Sequence, residues 1–573
     1  MQIKSLTFMK RKFLRLYMAG IFSMLVTIIL PLTDSVIGGQ VIGEDALVAI
    51  NIVIPAFNVA SFLGGLVCFG IPVLYSNAMG AFDKDEANRL YSIGLISSLF
   101  IGLLYFLILV FFGEYYIQSY GAEPGILELA HPYFFWYKLN ILITPFFLFL
   151  NELVMADGNE MLGTISCVTQ FVVNLVGSII LSHPLGMSGI GMASFLGTAC
   201  STGVLMLHYL SKGCSLKFVR YFNFKKLLKI ASFSIVDSLT YLYAAIFVSV
   251  VNYFVIANIG EQYLPIVSIY SFMFEFMILF NGIAAALNPM VAIYNSEENY
   301  KSIHTVMKFA SRVSVVFGAL MTILMFIAAP AVPHILGINS SELVQMSTFA
   351  IRCIALFFIF VSLHYEYSSY YNVQQKFVVA VIMCMLRDLI FPLALGLSLG
   401  SLFGLTGLSI GIAIAIVITD LLVMLGVHLL NRKMTIPRLF LDDDGHVDTY
   451  VYNFKTSEHE IMQAIEQAMA ELKNHSVPQN IQFKVSLIME EGFMLIREKN
   501  DNKDILAECT LMIGDQVELI FRDMGVIFNL IDEDACLNSY RQYIVASIMP
   551  IYSKKNYLLT NSYNRSRFIF PRE

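Results

Sequence analysis

The sequence predicts an all-α polytopic membrane protein, with twelve transmembrane helices in two six-helix lobes, followed by a small α/β sandwich domain. Three observations support this fold class. The chain of 573 residues is 57% hydrophobic and only 14% charged, whereas soluble globular domains are about 25% charged. A stretch of the first half recurs in the second half at a fixed interval. Apolar runs of spanning length stop near residue 433, and the tail that follows carries most of the acidic excess.

The repeated stretch identifies the two lobes. Ile42–Leu47 recurs as Ile259–Leu264, and the same interval carries Gly65 onto Gly282 without a gap. Each copy opens an apolar segment. Because many secondary transporters consist of two repeats around a shared midplane site, the repeat predicts a membrane carrier rather than a soluble enzyme.

Apolar runs long enough to cross about 30 Å of hydrocarbon supply the twelve predicted spans. The runs of the first lobe lie at about 13–38, 46–75, 90–113, 129–155, 160–182 and 187–210. The runs of the second lobe lie at about 228–257, 264–294, 308–330, 344–372, 377–399 and 405–431. The predicted domains are the lobes 1–211 and 230–433, a cytoplasmic connector 212–229 and the tail 440–573.

Loop charges predict the orientation of the spans. The loops after the odd-numbered spans contain no lysine or arginine, and the loops after the even-numbered spans hold all of them. Because cytoplasmic loops carry the excess of lysine and arginine, we expect both chain ends to be cytoplasmic. The predicted location is the cell inner (plasma) membrane.

Several short motifs have an order and spacing typical of one family. They are Thr33–Gly39 ending span 1, Met155–Asn159 after span 4, Gly186–Ala193 entering span 6, and Leu386–Phe391 with Gly404–Gly407 in spans 11 and 12. Over about residues 10–432 the chain resembles the MATE (multidrug and toxic compound extrusion) family. The resemblance implies a cation-coupled antiporter, driven by H⁺ or Na⁺, that expels amphipathic or cationic drugs and toxins by alternating access.

Ionisable residues within spans are the candidate transport site, because an ionised side chain at bilayer depth costs roughly 2.5–3.5 kcal/mol on insertion scales. Asp34 is the first candidate, since a buried carboxylate can alternate between protonated and ionised forms. The resemblance implies an ion-coupling site at Asp34, with Asn174 and Thr198 as polar helpers. Ser178 stands where the family often has a second acid. An ordinary loop aspartate near the outer surface is the alternative interpretation of Asp34.

Glu275 is the candidate in the second lobe. It lies within the apolar run Phe272–Met277 of span 8, so its carboxylate must face a cavity or a partner. The coupling ion or a cationic substrate is one candidate partner, and a lysine or arginine of a neighbouring span is the other. For Glu366, Arg387 and Asp388, near the predicted cytoplasmic ends, we expect structural salt bridges.

The tail contains signals for both helices and strands. Ser457–Glu460 is a capping box that opens a helix, and a second helix is predicted over 480–499. Alternation predicts a strand over 517–521, entered from 505–513 through a tight turn at Gly514–Asp515. Further strands are predicted over 556–561 and 566–571. The tail is therefore predicted to be a small α/β sandwich.

The tail also resembles the ATP-binding domain of anti-sigma-factor and histidine kinases, the GHKL class. Glu490 and Glu491 occupy the glutamate position on the second helix, and Asp523–Gly525 match the aspartate-x-glycine box that contacts adenine. Met494 replaces the magnesium-binding asparagine, and 529–555 contains no glycine-rich lid motif. The resemblance implies a degenerate regulatory or ligand-sensing domain that could bind a nucleotide without hydrolysing it.

The combined prediction is a secondary efflux transporter and not an enzyme, with H⁺ or Na⁺ as coupling ion and no metal or other certain cofactor. Expected partners are a small-molecule substrate, membrane lipid and a cytoplasmic regulatory protein at the tail, without nucleic acid. Two alternatives stay open. One is a flippase for lipid-linked oligosaccharides, which a strongly cationic central cavity would favour. The other is a transporter-derived sensor that binds ligand without flux.

Overall fold

The structure is a computed structural model that describes residues 8–572, apart from 72–73, 76–77, 79–82, 121–123, 158, 212–213, 298, 375, 431–447, 527, 529, 531–539, 549–556 and 561–562. The chain divides into two compact units. The tail unit comprises the described parts of Met1–Tyr17, Ala286–Ala310 and Pro437–Glu573. The membrane unit comprises those of Met18–Ala285 and Ser311–Ile436.

The first half of the chain forms six long helices. They are α1 (Phe8–Val41), α2 (Glu44–Cys68), α3 (Lys84–Gln118), α4 (Pro124–Ala156), α5 (Glu160–Leu185) and α6 (Met187–Met206). Short polar side chains begin two of them: Asp83 accepts from the backbone N–H of Glu86 at 2.9 Å, and Asn159 from that of Leu162 at 3.3 Å. Gly186, at φ 56°, separates α5 from α6 because glycine adopts left-handed backbone at low cost.

The second half is more interrupted. Its helices are α7 (Phe224–Asn258), α8 (Pro265–Met277), α9 (Ala284–Ser296), α10 (Tyr300–Ala328), α11 (Ala331–Ile335), α12 (Ser341–Ala355), α13 (Phe358–Val373), α14 (Phe377–Met385) and α15 (Phe391–Leu430). A 3-10 turn at Ile278–Ile283 joins α8 to α9, and a π turn at Leu386–Ile390 joins α14 to α15. Gly404, at φ 62° and ψ −145°, breaks α15 into two helices.

The chain is a multi-pass helical membrane protein. Among the described residues, nine helices are long and apolar enough to cross a membrane, or up to ten if α12 and α13, bent by 48°, form one span. One of the nine is the 53-residue stretch Phe377–Leu429, which contains the break at Gly404. This count is lower than the twelve spans that the sequence predicts.

Residues related by the repeat interval contact each other reciprocally within the membrane unit. A Cβ on Gly65 would lie 2.8 Å from Ser238 Oγ, and a Cβ on Gly282 would lie 2.8 Å from the backbone N of Ile21. Gly282 is the repeat partner of Gly65, and Ser238 is that of Ile21. Such reciprocal contacts are expected where two like halves meet about a twofold axis. Glycine is required at both positions because a side chain would overlap the facing helix.

The tail folds into helices and one antiparallel sheet. Its elements are β1 (Asp448–Lys455), α16 (Glu458–Asn474), α17 (Gln479–Lys499), β2 (Leu506–Ile513), β3 (Gln516–Asp523), α18 (Tyr540–Ile548), β4 (Tyr557–Thr560) and β5 (Tyr563–Pro571). The strand order is β1-β2-β3-β5-β4, and every neighbouring pair runs antiparallel. Ring contacts fill the core: Phe493 of α17 lies 4.1 Å from Phe521, which lies 5.2 Å from Phe568.

Local sequence signals account for much of this domain. Ser457 caps α16, its hydroxyl accepting from the backbone N–H of Glu460 at 3.4 Å, as the capping box predicts. The two-residue turn at Gly514–Asp515 joins β2 to β3, with Ile513 opposite Val517. The sequence analysis missed β1, which pairs with β2 along its whole length.

Candidate functional site

Asp34 lies inside the first-half helices, where three neighbouring helices supply hydrogen-bond donors to its carboxylate. Oδ2 accepts from the hydroxyl of Tyr133 (α4) at 2.9 Å and from that of Ser194 (α6) at 2.7 Å. Oδ1 accepts from the side-chain amide of Asn174 (α5) at 3.1 Å. The residue is only 4% exposed. Asp34 is therefore a buried residue of helix α1 and not an ordinary aspartate of a surface loop.

Two of the predicted site residues meet here, and the third supports the site indirectly. Asn174 also donates to Ser194 Oγ at 2.8 Å, so the donors are bonded to each other as well as to Asp34. Thr198 donates to the backbone carbonyl of Ser194 at 3.2 Å and accepts from Gln170 at 3.2 Å. Its hydroxyl thus braces the turn that carries Ser194, and among the described contacts it does not reach Asp34.

Sequence reasoning missed Tyr133 and Ser194 as ligands of Asp34. Ser194 could have been found, because it lies four residues before Thr198 and therefore on the same face of α6. No local pattern singled out Tyr133 among its aromatic neighbours. The site also contains two acceptors that have no hydrogen-bond partner among the described residues, Asn174 Oδ1 and the fully buried Ser178 Oγ. The site therefore has spare oxygen ligands beside a carboxylate.

Glu275 near the end of α8 has no hydrogen bond or ion pair among the described contacts of the membrane unit. The expected lysine or arginine partner is therefore not found in the part of the chain that the structure describes. Electrostatic interactions link Tyr137 to both Asp34 and Glu275, and the Tyr137 ring lies 4.8 Å from that of Tyr133. Aromatic side chains thus lie close to both candidate acids.

The acids expected to form structural pairs do so in two different ways. Arg387 binds Asp388 through two hydrogen bonds of 2.6 and 2.8 Å, and its guanidinium lies 4.0 Å from the ring centre of Tyr365. Glu366 instead accepts from Ser311 at 2.6 Å and Ser314 at 2.8 Å. Two serines therefore satisfy Glu366 where a salt bridge was expected.

Comparisons with known proteins agree with this architecture. Residues 20–180 match the MatE family model. The multidrug export protein MepA of Staphylococcus saprophyticus is 24% identical over 415 residues, 69% of this chain and 89% of that protein. MepA of Staphylococcus aureus strain MRSA252 is 24% identical over 407 residues, 68% of this chain and 86% of that protein.

Solved structures give the fold. An inward-facing MATE family transporter of the MOP superfamily superposes with a TM-score of 0.64 at 18% identity, over 71% of this chain and 96% of that chain. The MATE multidrug transporter DinF-BH, solved in complex with a drug-like small molecule, superposes with a TM-score of 0.64 at 18% identity, over 77% and 99%. The membrane part of this chain is a MATE-type transporter domain. The protein accordingly belongs among transporters and not among enzymes.

A second polar cluster of the MATE-type domain involves Asp157, which follows α4. Its carboxylate accepts from Tyr75 at 2.6 Å and from the backbone N–H of Ser215 at 3.0 Å, and it lies 2.8 Å from His208 Nε2. Burial opposes ionisation, but the hydrogen bonds prevail and lower the pKa of Asp157. Cys214 completes a group of metal-ligand types within 4.8 Å. Because the carboxylate is already engaged, we assign this cluster to holding the chain segments together.

The predicted nucleotide residues lie outside the MATE-type domain, in the tail. Asp523 ends β3, and its Oδ1 accepts from the backbone N–H of Gly525 and from Asn564, each at 2.9 Å. Burial raises the pKa of Asp523 to about 6. Glu490 is exposed, and Glu491 pairs with Arg541 on α18. The predicted lid region 529–555 falls largely outside the described residues.

Proposed function

We propose that this protein is a secondary active efflux transporter that exchanges H⁺ or Na⁺ for amphipathic or cationic drugs or toxins by alternating access. The observation that carries the proposal is the Asp34 site, a buried carboxylate held by donors from three other helices. Burial costs the charged form energy, and the donors offset part of that cost. A small change in helix packing can therefore change whether the carboxylate holds a cation.

Either coupling ion is chemically compatible with this site, and the two bind differently. A proton on Asp34 converts one acceptor oxygen into a donor, so at least one of the three donor contacts must rearrange. A Na⁺ ion would instead take oxygen ligands, as hard cations do. Asn174 Oδ1 and Ser178 Oγ supply two acceptors beside the carboxylate. These two serve a metal cation and add little to a proton.

A cationic substrate is supported by Glu275. This acid has no positive partner among the described residues, and a bound cation would supply one. Tyr137 links it electrostatically to Asp34, so substrate charge at Glu275 and ion charge at Asp34 would be coupled. Relatives support the same class: one is called a multidrug export protein, and one solved relative is a multidrug transporter in complex with a drug-like small molecule.

The predicted topology is part of the proposal. Helix α1 is 34 residues long, and the break at Gly404 divides a 53-residue apolar stretch. Counting α1 and both sides of the break as spans, with α12 and α13 as one, supports the twelve predicted from sequence. The one-sided distribution of loop lysine and arginine favours cytoplasmic ends in an inner (plasma) membrane.

The test is efflux of a cationic rhodamine dye from proteoliposomes under an imposed H⁺ or Na⁺ gradient. Asp34→Asn should abolish gradient-driven efflux, while Asp45→Asn, at an exposed position of α2, is the matched control and should not. Ser178→Ala separates the ions, because it should weaken Na⁺-driven efflux selectively. Gradient-driven efflux that survives in Asp34→Asn would refute the assignment of the coupling site. No efflux with either ion, from folded wild-type protein, would refute antiport of this substrate.

For the tail we propose a regulatory domain that binds a purine nucleotide without hydrolysing it. Supporting observations are the buried Asp523 carboxylate and the close fit of Gly525, whose substitution by a larger residue would bring Cβ within 2.4 Å of Asn500 Nδ2. Calorimetric titration of the full chain with ATP and ADP tests this proposal. Binding lost in Asp523→Asn but kept in Asp515→Asn, at the β2–β3 turn, is the expected result. Absence of binding to the wild type would refute it.

A further inference from the structure

The tail unit contains a buried cluster of five ionisable side chains drawn from three distant parts of the chain. Arg522 and Glu508 come from the sheet strands β3 and β2, and Arg565 comes from β5. Glu297 follows α9, and Lys12 lies near the start of α1. All five are at most 6% exposed. Buried charges are costly unless they are paired, so the geometry of the pairing decides what the cluster does.

Glu297 is the centre of the pairing. One carboxylate oxygen binds Arg522 Nη2, and the other lies 2.6 Å from Arg565 Nη2. Arg522 in turn donates through Nη1 to Glu508 at 2.7 Å and to Thr510 at 3.0 Å. A single carboxylate from the loop after α9 is thus held by two arginines of the sheet. The sheet cannot leave this loop without exposing or unpairing those charges.

Charge balance assigns Lys12 to the same cluster. The two arginines balance the two glutamates, so a protonated Lys12 adds an unbalanced positive charge. Burial, followed by the positive charge of Arg522, lowers the pKa of Lys12 to about 7, against the opposing effect of Glu508 and Glu297. Arg565 acts in the same direction as Arg522. The start of α1 is therefore electrostatically tied to the sheet and to the loop after α9.

Contacts outside the cluster join the same three segments. The backbone N–H of Phe8 donates to Asn453 Oδ1 of β1 at 3.2 Å, and its ring packs against Leu506 of β2. Lys301 of α10 donates to the backbone carbonyl of Thr449 at 3.1 Å. Helix α1 belongs to the first repeat of the membrane part, and α9 and α10 belong to the second. One rigid sheet therefore contacts both repeats.

We propose that this ionic cluster is a lock through which the C-terminal domain holds the two repeats together at one end of the helix bundle. In an alternating-access cycle the repeats separate at each end in turn, so the lock must open whenever they separate at this end. This consequence rests on the proposed transport function. The existence of the lock does not. The domain thereby controls the rate of transport through ion pairs, and any ligand of the sheet that loosens them would activate efflux.

The experiment compares full-chain variants by hydrogen–deuterium exchange and by efflux of the rhodamine dye. Glu297→Gln leaves two buried arginines with one glutamate. It should raise amide exchange at least tenfold in 8–17, in 300–310 and in 506–513. The matched control is Glu518→Gln, which removes a half-buried partner of Arg567 at 2.6 Å within the same sheet and should not raise exchange in 8–17 or 300–310. Glu297→Gln combined with Arg565→Met restores charge balance and should return exchange toward the wild-type rate.

The two readouts separate the two halves of the proposal. Raised exchange with a severalfold faster efflux in Glu297→Gln, both reversed in the double variant, is the expected result. Exchange in 8–17 that matches the control variant would overturn the lock. Raised exchange with unchanged efflux would overturn its control of transport. A wild type that exchanges as expected but transports nothing would overturn the proposed transport function and leave the lock standing.

Discussion

Replacing the two repeat-related glycines by alanine tests the contact between the halves of the membrane unit. At Gly282 the added Cβ would lie 2.8 Å from the N of Ile21 and 3.0 Å from the C of Gly20. Both are backbone atoms, which cannot rotate away, so the helices must move apart. Overpacking of this kind costs about 1–3 kcal/mol. We expect Gly282→Ala to fall in the upper part of that range.

At Gly65 the same substitution should cost less. Its Cβ would meet Ser238 Oγ at 2.8 Å and a ring carbon of Phe69 at 3.0 Å, which are side-chain atoms that can shift. Adding Ser238→Gly to Gly65→Ala should recover the lost stability, because it removes the obstructing hydroxyl. No equivalent rescue exists at Gly282, where the obstruction is backbone.

The assay is the thermal unfolding midpoint of detergent-solubilised protein, referred to Gly203→Ala. Gly203 lies in α6 with nothing within 4 Å of its added Cβ, so its alanine variant reports only the helix-propensity gain of about 1 kcal/mol. The expected order of midpoints is Gly203→Ala, then Gly65→Ala, then Gly282→Ala. Equal midpoints for Gly282→Ala and Gly203→Ala would refute the close approach of the two repeats.

Three further predictions concern single side chains. Ser194→Ala removes the 2.7 Å hydrogen bond to Asp34, and because a hydrogen bond to a charged group contributes about 1.5–3 kcal/mol, efflux of the rhodamine dye should fall at least tenfold; unchanged efflux would remove Ser194 from the site. Burial raises the pKa of Asp523 from 3.8 to about 6, so the folded tail keeps a proton that the unfolded chain releases between these values. Its stability should therefore fall by roughly 2–3 kcal/mol as pH rises through that window, and Asp523→Asn should flatten this part of the unfolding profile. Gly525→Ala would place Cβ 2.4 Å from Asn500 Nδ2 and should destabilise the tail by about 1–3 kcal/mol, seen as faster amide exchange in β3, whereas an unchanged exchange rate would contradict the fit.

The tail shows how far local signals reach. The capping box at Ser457, the helix predicted over 480–499 and the turn at Gly514–Asp515 all agree with the structure to within a few residues. These features depend on side-chain to backbone bonds or on turns within a few positions. Strand β1 was missed although Tyr450, Tyr452 and Phe454 alternate through it, which is a strand signal that the sequence contained.

What the sequence alone determined about this protein are properties set by composition and local spacing: its membrane character, its repeated halves, and the importance of Asp34 and Asn174. Only the tertiary structure decided that Tyr133 and Ser194 complete the Asp34 site, and that Glu297 meets Arg522 across 225 positions. The physical reason is that spanning length and helix periodicity act over neighbouring residues. A buried charge instead takes whatever partner the packed chain brings to it, and packing depends on every helix at once.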